Sequence, residues 1–196
     1  MRSWLTALCL SLVGLGLGAC EQGAADRPAA GEMALNSLFD ADFDLIDHHG
    51  EAATDERFEG KPMLIYFGFT SCPDVCPAAL GTMTASLDRL DKDAEKVQPL
   101  FITVDPKRDD PQRLSDHLAY DSRILGLTGS EEALAAARDA MNIFAQEMPL
   151  PDSAMGYTMD HQSMFFLTDA GGTPIVALKD NLPPEDVAAI IKRRVF

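Results

Sequence analysis

Two cysteines stand close together in the segment 72–77, which reads CPDVCP. If a helix begins here, Cys72 and Cys76 lie on one side of it, one turn apart. The partial positive charge of a helix N-terminus favours the thiolate form of a cysteine. A thiolate either attacks a disulfide or binds a soft metal ion, so the pair alone does not decide between redox and metal chemistry.

Three uses of the pair compete. A structural disulfide between Cys72 and Cys76 would close a very small loop, which constrains the unfolded chain little and stabilises the fold only modestly. A redox-active dithiol would exchange disulfides with a partner protein. A metal site would need at least one further ligand from elsewhere in the chain.

His161 is the candidate for that further ligand. Two thiolates and one imidazole form a soft site of low coordination number that suits Cu(I), and Cu(II) if a further weak ligand joins. A structural zinc site would want four protein ligands. The neighbouring Asp160 could orient the imidazole as a carboxylate outside the ligand set, although adjacent residues of an extended segment point in opposite directions and Asp160 could equally be a solvated carboxylate. A single histidine before a strand is also often a plain polar end-residue.

The first residues predict export. Residues 1–19 have the apolar core of a signal peptide, and the segment 17–20 (LGAC) resembles the lipobox of bacterial lipoproteins, so we expect Cys20 to be lipidated. A plain secretory signal or an uncleaved anchor with a chance cysteine is the alternative. We expect a membrane-anchored protein that faces the bacterial periplasm or the cell exterior, with residues 20–38 as a flexible tether and residues 39–196 as the folded domain. Cys72 and Cys76 would then be its only free thiols, and in an oxidising compartment they form a disulfide unless something reduces or ligates them.

The composition is that of one globular domain with a real core. The 196 residues are 46% hydrophobic and carry a formal net charge of −15. Nucleic-acid binding needs a basic face, so this charge argues against it. Cationic partners, metal ions included, are compatible with it.

Alternating patterns predict the elements that must position these residues. We expect strands at 42–47, 63–69, 99–104, 124–128, 164–168 and 174–178, the last two as a hairpin. Helices are predicted at 54–60 and from positions 77, 110, 130 and 183. The third long helix should place Leu134, Ala137, Met141 and Phe144 inward. This order predicts an α/β protein with a thioredoxin-like fold: a central mixed sheet flanked by helices, with an N-terminal extension and a late β-hairpin.

In thioredoxin-like redox enzymes a cis-proline typically faces the cysteines. Here no proline occurs between Pro151 and Pro174, and His161 is available at that place. The sequence therefore favours a ligand over a substrate-presenting backbone turn.

Three blocks then carry a resemblance. The first block is residues 58–62 (FEGKP) with 66–77 (YFGFTSCPDVCP), the second is 103–109 (TVDPKRD) and the third is 157–163 (YTMDHQS). Their order resembles that of the Sco/SenC family of cytochrome c oxidase assembly factors, and the likeness spans about residues 39–194. The resemblance implies that Cys72, Cys76 and His161 bind copper. The departures are Phe69, where the family often has Tyr, and Ser71, where it often has His.

The resemblance also implies a function and partners. The chain would be a copper metallochaperone that delivers copper to the binuclear site of cytochrome c oxidase, or prepares that site by reducing its cysteines. Its partners would be the copper-bearing oxidase subunit or another copper chaperone, a thiol reductant, and the membrane through the lipid anchor. The alternative is a thiol-disulfide oxidoreductase that uses the Cys72/Cys76 pair on partner cysteines. A thiol peroxidase is a third possibility, but the sequence has no recognisable peroxidase cysteine motif.

Two weaker patterns remain. Met148, Met155 and Met159 precede His161 in what we expect to be a loop, and their thioethers could guide copper to the site. His48 and His49 precede Gly50, and we expect a solvated loop there.

Overall fold

The computed structural model describes residues 30–196, and the predicted signal peptide and the predicted lipidation site Cys20 lie outside these residues. The strands are β1 (Glu32–Ala34), β2 (Asp44–Asp47), β3 (Ala52–Thr54), β4 (Met63–Gly68), β5 (Gln98–Thr103), β6 (Leu125–Thr128), β7 (Ala145–Leu150), β8 (Gly156–His161), β9 (Met164–Thr168) and β10 (Pro174–Lys179). The α-helices are α1 (Val75–Leu90), α2 (Pro111–Leu118), α3 (Glu131–Ala140) and α4 (Pro184–Val195), and short 3₁₀ helices cover Asp55–Phe58 and Asp91–Lys96.

Over the described part of the chain, the central sheet has eight strands in the order β1-β10-β9-β4-β5-β6-β2-β3. β4, β5 and β6 are parallel neighbours, and the other pairs are antiparallel. This is the mixed sheet flanked by helices that the sequence predicts. Among residues 30–196, no helix is long and apolar enough to cross a membrane.

The core explains why the predicted elements form where they do. Every residue of β4 is buried, because β5 and β9 flank it and helices cover the sheet. The inner face of α1 is formed by Leu80, Met83, Leu87 and Leu90, which are all buried. α1 packs against α4, α2 against β6, and α3 against β2.

The helix starts agree with their predicted caps. The Asp110 carboxylate accepts a hydrogen bond from the Arg113 backbone N–H at 2.8 Å, and Pro111 occupies the first turn of α2. The Ser130 hydroxyl accepts from the Ala133 N–H at 3.2 Å and caps α3.

One helix prediction is wrong at its end. α3 stops at Ala140, and the chain turns at Asn142, whose φ of 52° lies in the left-handed region. Phe144 was predicted to point inward, but it follows this turn and is 51% exposed. Leu134, Ala137 and Met141 are buried, as predicted.

The tether prediction is also wrong in part. Residues 20–38 were expected to be flexible, yet β1 lies among them and pairs antiparallel with β10. The Glu32 carboxylate lies 2.7 Å from the Arg193 guanidinium of α4. Backbone pairing and this ion pair fix residues 32–34 to the domain, and residues 20–29 of the predicted tether lie outside the described part of the chain.

The segment before His161 differs most from its predicted structure. It was expected to be a loop, but β7 and β8 form a hairpin outside the central sheet, with Ala145 opposite His161. The Gln162 side-chain oxygen accepts a hydrogen bond from the Phe144 N–H at 2.6 Å and closes the base of this hairpin.

Candidate metal centre

The cysteine segment leaves β4 at Gly68 and enters α1 at Val75. The Cys72 N–H donates to the Phe69 carbonyl at 3.2 Å, and the Cys76 N–H donates to the Cys72 sulfur at 3.4 Å. Both thiols are free; Cys72 is partly exposed and Cys76 is buried. Cys76 therefore lies in the first turn of α1, and the Cys72 sulfur, from the segment just before the helix, lies beside that turn.

His161 ends β8 and meets the buried cysteine. Its Nε2 lies 4.0 Å from the Cys76 sulfur, and its Nδ1 lies 3.0 Å from the Gln162 backbone carbonyl. Since a carbonyl only accepts, we assign the ring proton to Nδ1, which leaves the Nε2 lone pair directed at the sulfur. Burial lowers the pKa of His161, so the ring is neutral at neutral pH.

This geometry fits a bound metal ion. Zinc stands about 2.3 Å from sulfur and about 2.0 Å from imidazole nitrogen, so an ion of that size between the two atoms separates them by roughly 3.5 to 4.3 Å. The observed 4.0 Å lies within that interval. Among residues 30–196, no three His, Cys, Asp or Glu side chains already converge on one point. The structure thus brings Cys76 and His161 together and leaves Cys72 one turn away.

Two aromatic rings hold the imidazole from the side of the core. The rings of Phe69 and Tyr66 stand nearly perpendicular to that of His161, with centroids 5.9 Å and 6.5 Å from it. The bulk of the rings limits the positions open to the imidazole, so its approach to Cys76 is partly set in advance.

A chain of polar groups runs from the buried thiol towards the surface. The Tyr66 hydroxyl lies 3.9 Å from the Cys76 sulfur and 2.7 Å from the Ser163 hydroxyl, which donates to the Asp180 carboxylate at 2.6 Å. Because the Ser163 hydroxyl donates its only proton to the Asp180 carboxylate, the Tyr66 hydroxyl is the donor in its hydrogen bond with Ser163. Burial raises the pKa of the Tyr66 phenol and raises that of the Cys76 thiol to about 12. Both groups therefore hold their protons at neutral pH.

A second polar group fixes the segment before Cys72. The buried Asp109 carboxylate accepts hydrogen bonds from the Thr70 N–H at 3.0 Å, the Thr70 hydroxyl at 2.6 Å and the Thr103 hydroxyl at 2.6 Å. It thereby ties the cysteine segment to the end of β5. Sequence reasoning missed Asp109 and Tyr66, although a tyrosine inside a buried strand signals that its hydroxyl needs a partner.

Asp160 does not contact the ring nitrogens of His161. Its side chain is exposed, and alternation along β8 directs it to the opposite face of the hairpin. The atom that orients the imidazole is the Gln162 carbonyl. Its use could not be read from residue types, because it belongs to the backbone.

The methionines do not form one continuous path. Directly paired residues share a face of a hairpin, and in the β7–β8 register Met159 lies on the face of His161 while Met148 lies on the other. Met159 packs against the core, whereas Met148 is exposed. His48 also differs from its prediction, because its Nδ1 accepts a hydrogen bond from the Gly126 N–H at 2.8 Å and the side chain is partly buried.

The backbone at the expected cis-proline position is ordinary. Within residues 30–196 every peptide bond is trans. Gln162 and Ser163 are the residues between β8 and β9. At the place where a cis-proline would face the cysteines, this chain has His161 and the Ser163 hydroxyl.

Known proteins are similar to this chain in sequence and in structure. The SCO1/SenC family model matches residues 31–195. The SCO2-like protein of Rickettsia felis is 35% identical over 171 residues, which cover 85% of this chain and 83% of that protein. Protein sco1 of Schizosaccharomyces pombe is 40% identical over 152 residues, 76% of this chain and 58% of that protein. The structure of Bradyrhizobium japonicum ScoI with copper bound superposes with a TM-score of 0.74 at 37% identity, covering 80% of this chain and 99% of that one. The chain therefore belongs to the SCO1/SenC family.

Proposed function

We propose that this protein is a copper metallochaperone. It binds copper through Cys72, Cys76 and His161, and it delivers the ion to the binuclear copper site of cytochrome c oxidase, or prepares that site, during assembly. The observation that carries the proposal is the 4.0 Å approach of the His161 Nε2 atom to the free, buried sulfur of Cys76.

The donor set supports copper over other metals. Thiolate is a soft ligand that suits Cu(I), imidazole also binds copper, and a set of three protein ligands is one short of the four that structural zinc prefers. B. japonicum ScoI, which superposes on this chain, is a copper-bound relative. Three ligands also leave a position open to a partner's ligand.

The geometry suits transfer by ligand exchange. Cys72 is partly exposed, and Pro73, Val75 and Gln162 beside the ligands are exposed. A partner thiol can therefore reach the ion from outside. Cys76 holds a proton at neutral pH, so copper binding must displace it, and the reverse transfer must return it.

The proposed partners follow from the same chemistry. They are the copper-bearing oxidase subunit or another copper chaperone, and a thiol reductant that keeps Cys72 and Cys76 reduced. We further propose that acylated Cys20 anchors the exported domain to the membrane. The variant Cys20→Ala should move the protein from the membrane to the soluble exported fraction, and an unchanged distribution would contradict the anchor.

A thiol-disulfide reductase is the second candidate. The observation in its favour is that the Cys72 sulfur is partly exposed, accepts a helix N–H and lies one turn from a second free thiol. In that case Cys72 attacks a partner disulfide and Cys76 resolves the mixed disulfide.

One titration separates the two candidates. The reduced domain is titrated with Cu(I) against a competing chelator, as wild type, His161→Ala and the control His49→Ala, whose side chain is exposed. The chaperone predicts one copper per chain, binding weakened at least a hundredfold in His161→Ala, and no change in the control. If His161→Ala binds copper like wild type while disulfide reduction stays fast, the reductase is correct.

A further inference from the structure

Arg108 lies between the two halves of the metal centre. Its guanidinium carbon stands 3.8 Å from the centroid of the Tyr157 ring and 5.8 Å from that of Phe69. The Phe69 ring in turn meets the His161 ring at 5.9 Å. A series of ring contacts therefore runs from the hairpin, through the guanidinium and Phe69, to the imidazole.

Hydrogen bonds lock this guanidinium in place. The Arg108 Nε donates to the Asp105 carboxylate, and one terminal nitrogen donates to the Tyr157 carbonyl at 3.1 Å. The Tyr157 hydroxyl donates to the same Asp105 carboxylate at 2.8 Å. Arg108 thus holds both the ring and the backbone of Tyr157, and Asp105 closes the loop.

Tyr157 belongs to β8, the strand that ends at His161. Alternate residues of a strand share a face, so Tyr157, Met159 and His161 all face the core. The hairpin has no backbone pairing with the central sheet. Its orientation must therefore come from side-chain contacts on this face and from the closure at Gln162.

Of the two ion pairs beside the hairpin, the one that Arg108 makes is the less exposed. The Arg108 side chain is 21% exposed and that of Asp105 only 2%, and a planar guanidinium that both stacks and donates in fixed directions cannot be replaced by an ammonium. The neighbouring Lys107–Glu147 pair also joins the hairpin to the loop after β5, but these side chains are 64% and 42% exposed. An exposed pair of this kind contributes little.

We propose that Arg108 is a positioning residue: it clamps β8 onto the Phe69 segment, and so holds His161 against Cys76 and sets copper affinity without touching the ion. The inference rests on the proposed function only in that copper is the ligand whose affinity it sets. The position of His161 itself is a property of the copper-free protein.

The first experiment needs no metal. NMR of the reduced, copper-free domain measures cross-peaks between the His161 and Phe69 rings and the exchange rates of the β8 amides, for wild type, Arg108→Met, Arg108→Lys and the control Lys107→Met. We expect the ring cross-peaks to disappear and the β8 amides to exchange at least tenfold faster in Arg108→Met, with β5 unchanged. Arg108→Lys should fall between, and the control should match wild type. Retained cross-peaks and unchanged exchange in a folded Arg108→Met or Arg108→Lys domain would overturn the proposal.

The second experiment is a double-substitution cycle on copper affinity. We expect Arg108→Met to weaken Cu(I) binding about tenfold in the wild-type background, and Arg108→Lys to weaken it by a smaller factor. Both should change binding less than twofold in the His161→Ala background, because the effect passes through His161. An equal loss in both backgrounds would mean a general structural role and would overturn the proposal. If the wild-type domain binds no copper, the proposed function fails, and the metal-free NMR experiment still decides the role of Arg108.

Discussion

The sulfur side and the imidazole side of the centre are built differently. The cysteines follow β4, which is wholly buried between two strands of the central sheet. The segment between β4 and Cys72 is tied to β5 by the buried Asp109. His161 ends a hairpin that stands outside that sheet and whose residues are mostly exposed or half-buried. One side belongs to the core, and the other is attached to it.

This difference indicates which part of the site can adjust. Local opening follows regions with few buried apolar contacts and exposed backbone hydrogen bonds, and these are features of the hairpin. We infer that the thiols keep their place while the imidazole approaches or withdraws. A site that must accept and release its ion gains from having one movable ligand.

The largest test addresses the fixed side. Replacing Asp109 with Ala leaves the Thr70 N–H and two buried hydroxyls without their acceptor, and we expect the free energy of unfolding to fall by about 3 kcal/mol. Urea denaturation measures it. The adjacent control Asp110→Ala removes only a helix cap and should cost about 1 kcal/mol. Equal losses in the two variants would show that the cysteine segment is not specially fixed.

The second test compares the protonation of the two sides. Burial raises the pKa of Cys76 to about 12 and lowers that of His161, so near neutral pH the thiol is protonated and the imidazole is not. Copper must displace the thiol proton, and its affinity should rise at least about tenfold per pH unit between roughly pH 7 and 8. Chelator competition at several pH values measures the slope. His161→Ala should bind more weakly but keep this slope, and a pH-independent affinity in wild type would contradict the prediction.

The third test concerns the polar chain that joins the two sides. Tyr66→Phe removes a buried hydroxyl together with its hydrogen bond to Ser163, and we expect a loss of about 1 kcal/mol in unfolding free energy. Ser163→Ala leaves the buried phenol in place without that acceptor and should cost more, about 2 kcal/mol. Thermal and urea unfolding of both variants give the order. The reverse order would mean that the phenol does not depend on Ser163.

The smallest effect is expected at the exposed edge of the hairpin. Glu147→Gln breaks the 2.6 Å ion pair with Lys107, and we expect stability and copper affinity to stay within experimental error because both side chains are exposed. A clear loss of either would show that surface charge, rather than the Arg108 clamp, attaches the hairpin.

The fixed side was predictable from sequence, and the attached side was not. β4 was predicted at 63–69 and β5 at 99–104, each within one residue of its observed bounds, because buried central strands are continuous apolar runs. β7 and β8 lie outside the sheet, contain Pro149 and several polar residues, and show no clean alternation. The sequence therefore predicts a loop for these residues and extends the helix before them to Phe144.

The site divides in the same way. The spacing of Cys72 and Cys76 is a local feature, and the structure places Cys76 in the first turn of α1 and Cys72 in the segment just before it. His161 was assigned chiefly through family resemblance. The contacts of Asp109, Arg108 and Tyr66 join residues distant in the chain or depend on which face a strand presents, and neither property can be read from residue types. The block 103–109 was visible as a motif, but not as the link between the two sides.

The unequal exposure of the two cysteines predicts the order in which they would release a bound ion. Cys72 is partly open to solvent, and Cys76 is buried. If copper binds as proposed, an acceptor that approaches from outside would meet the Cys72 sulfur first, while the Cys76 sulfur still holds the ion. Release is then a stepwise hand-over that begins at Cys72 and ends at Cys76, so the ion need never be free in solution.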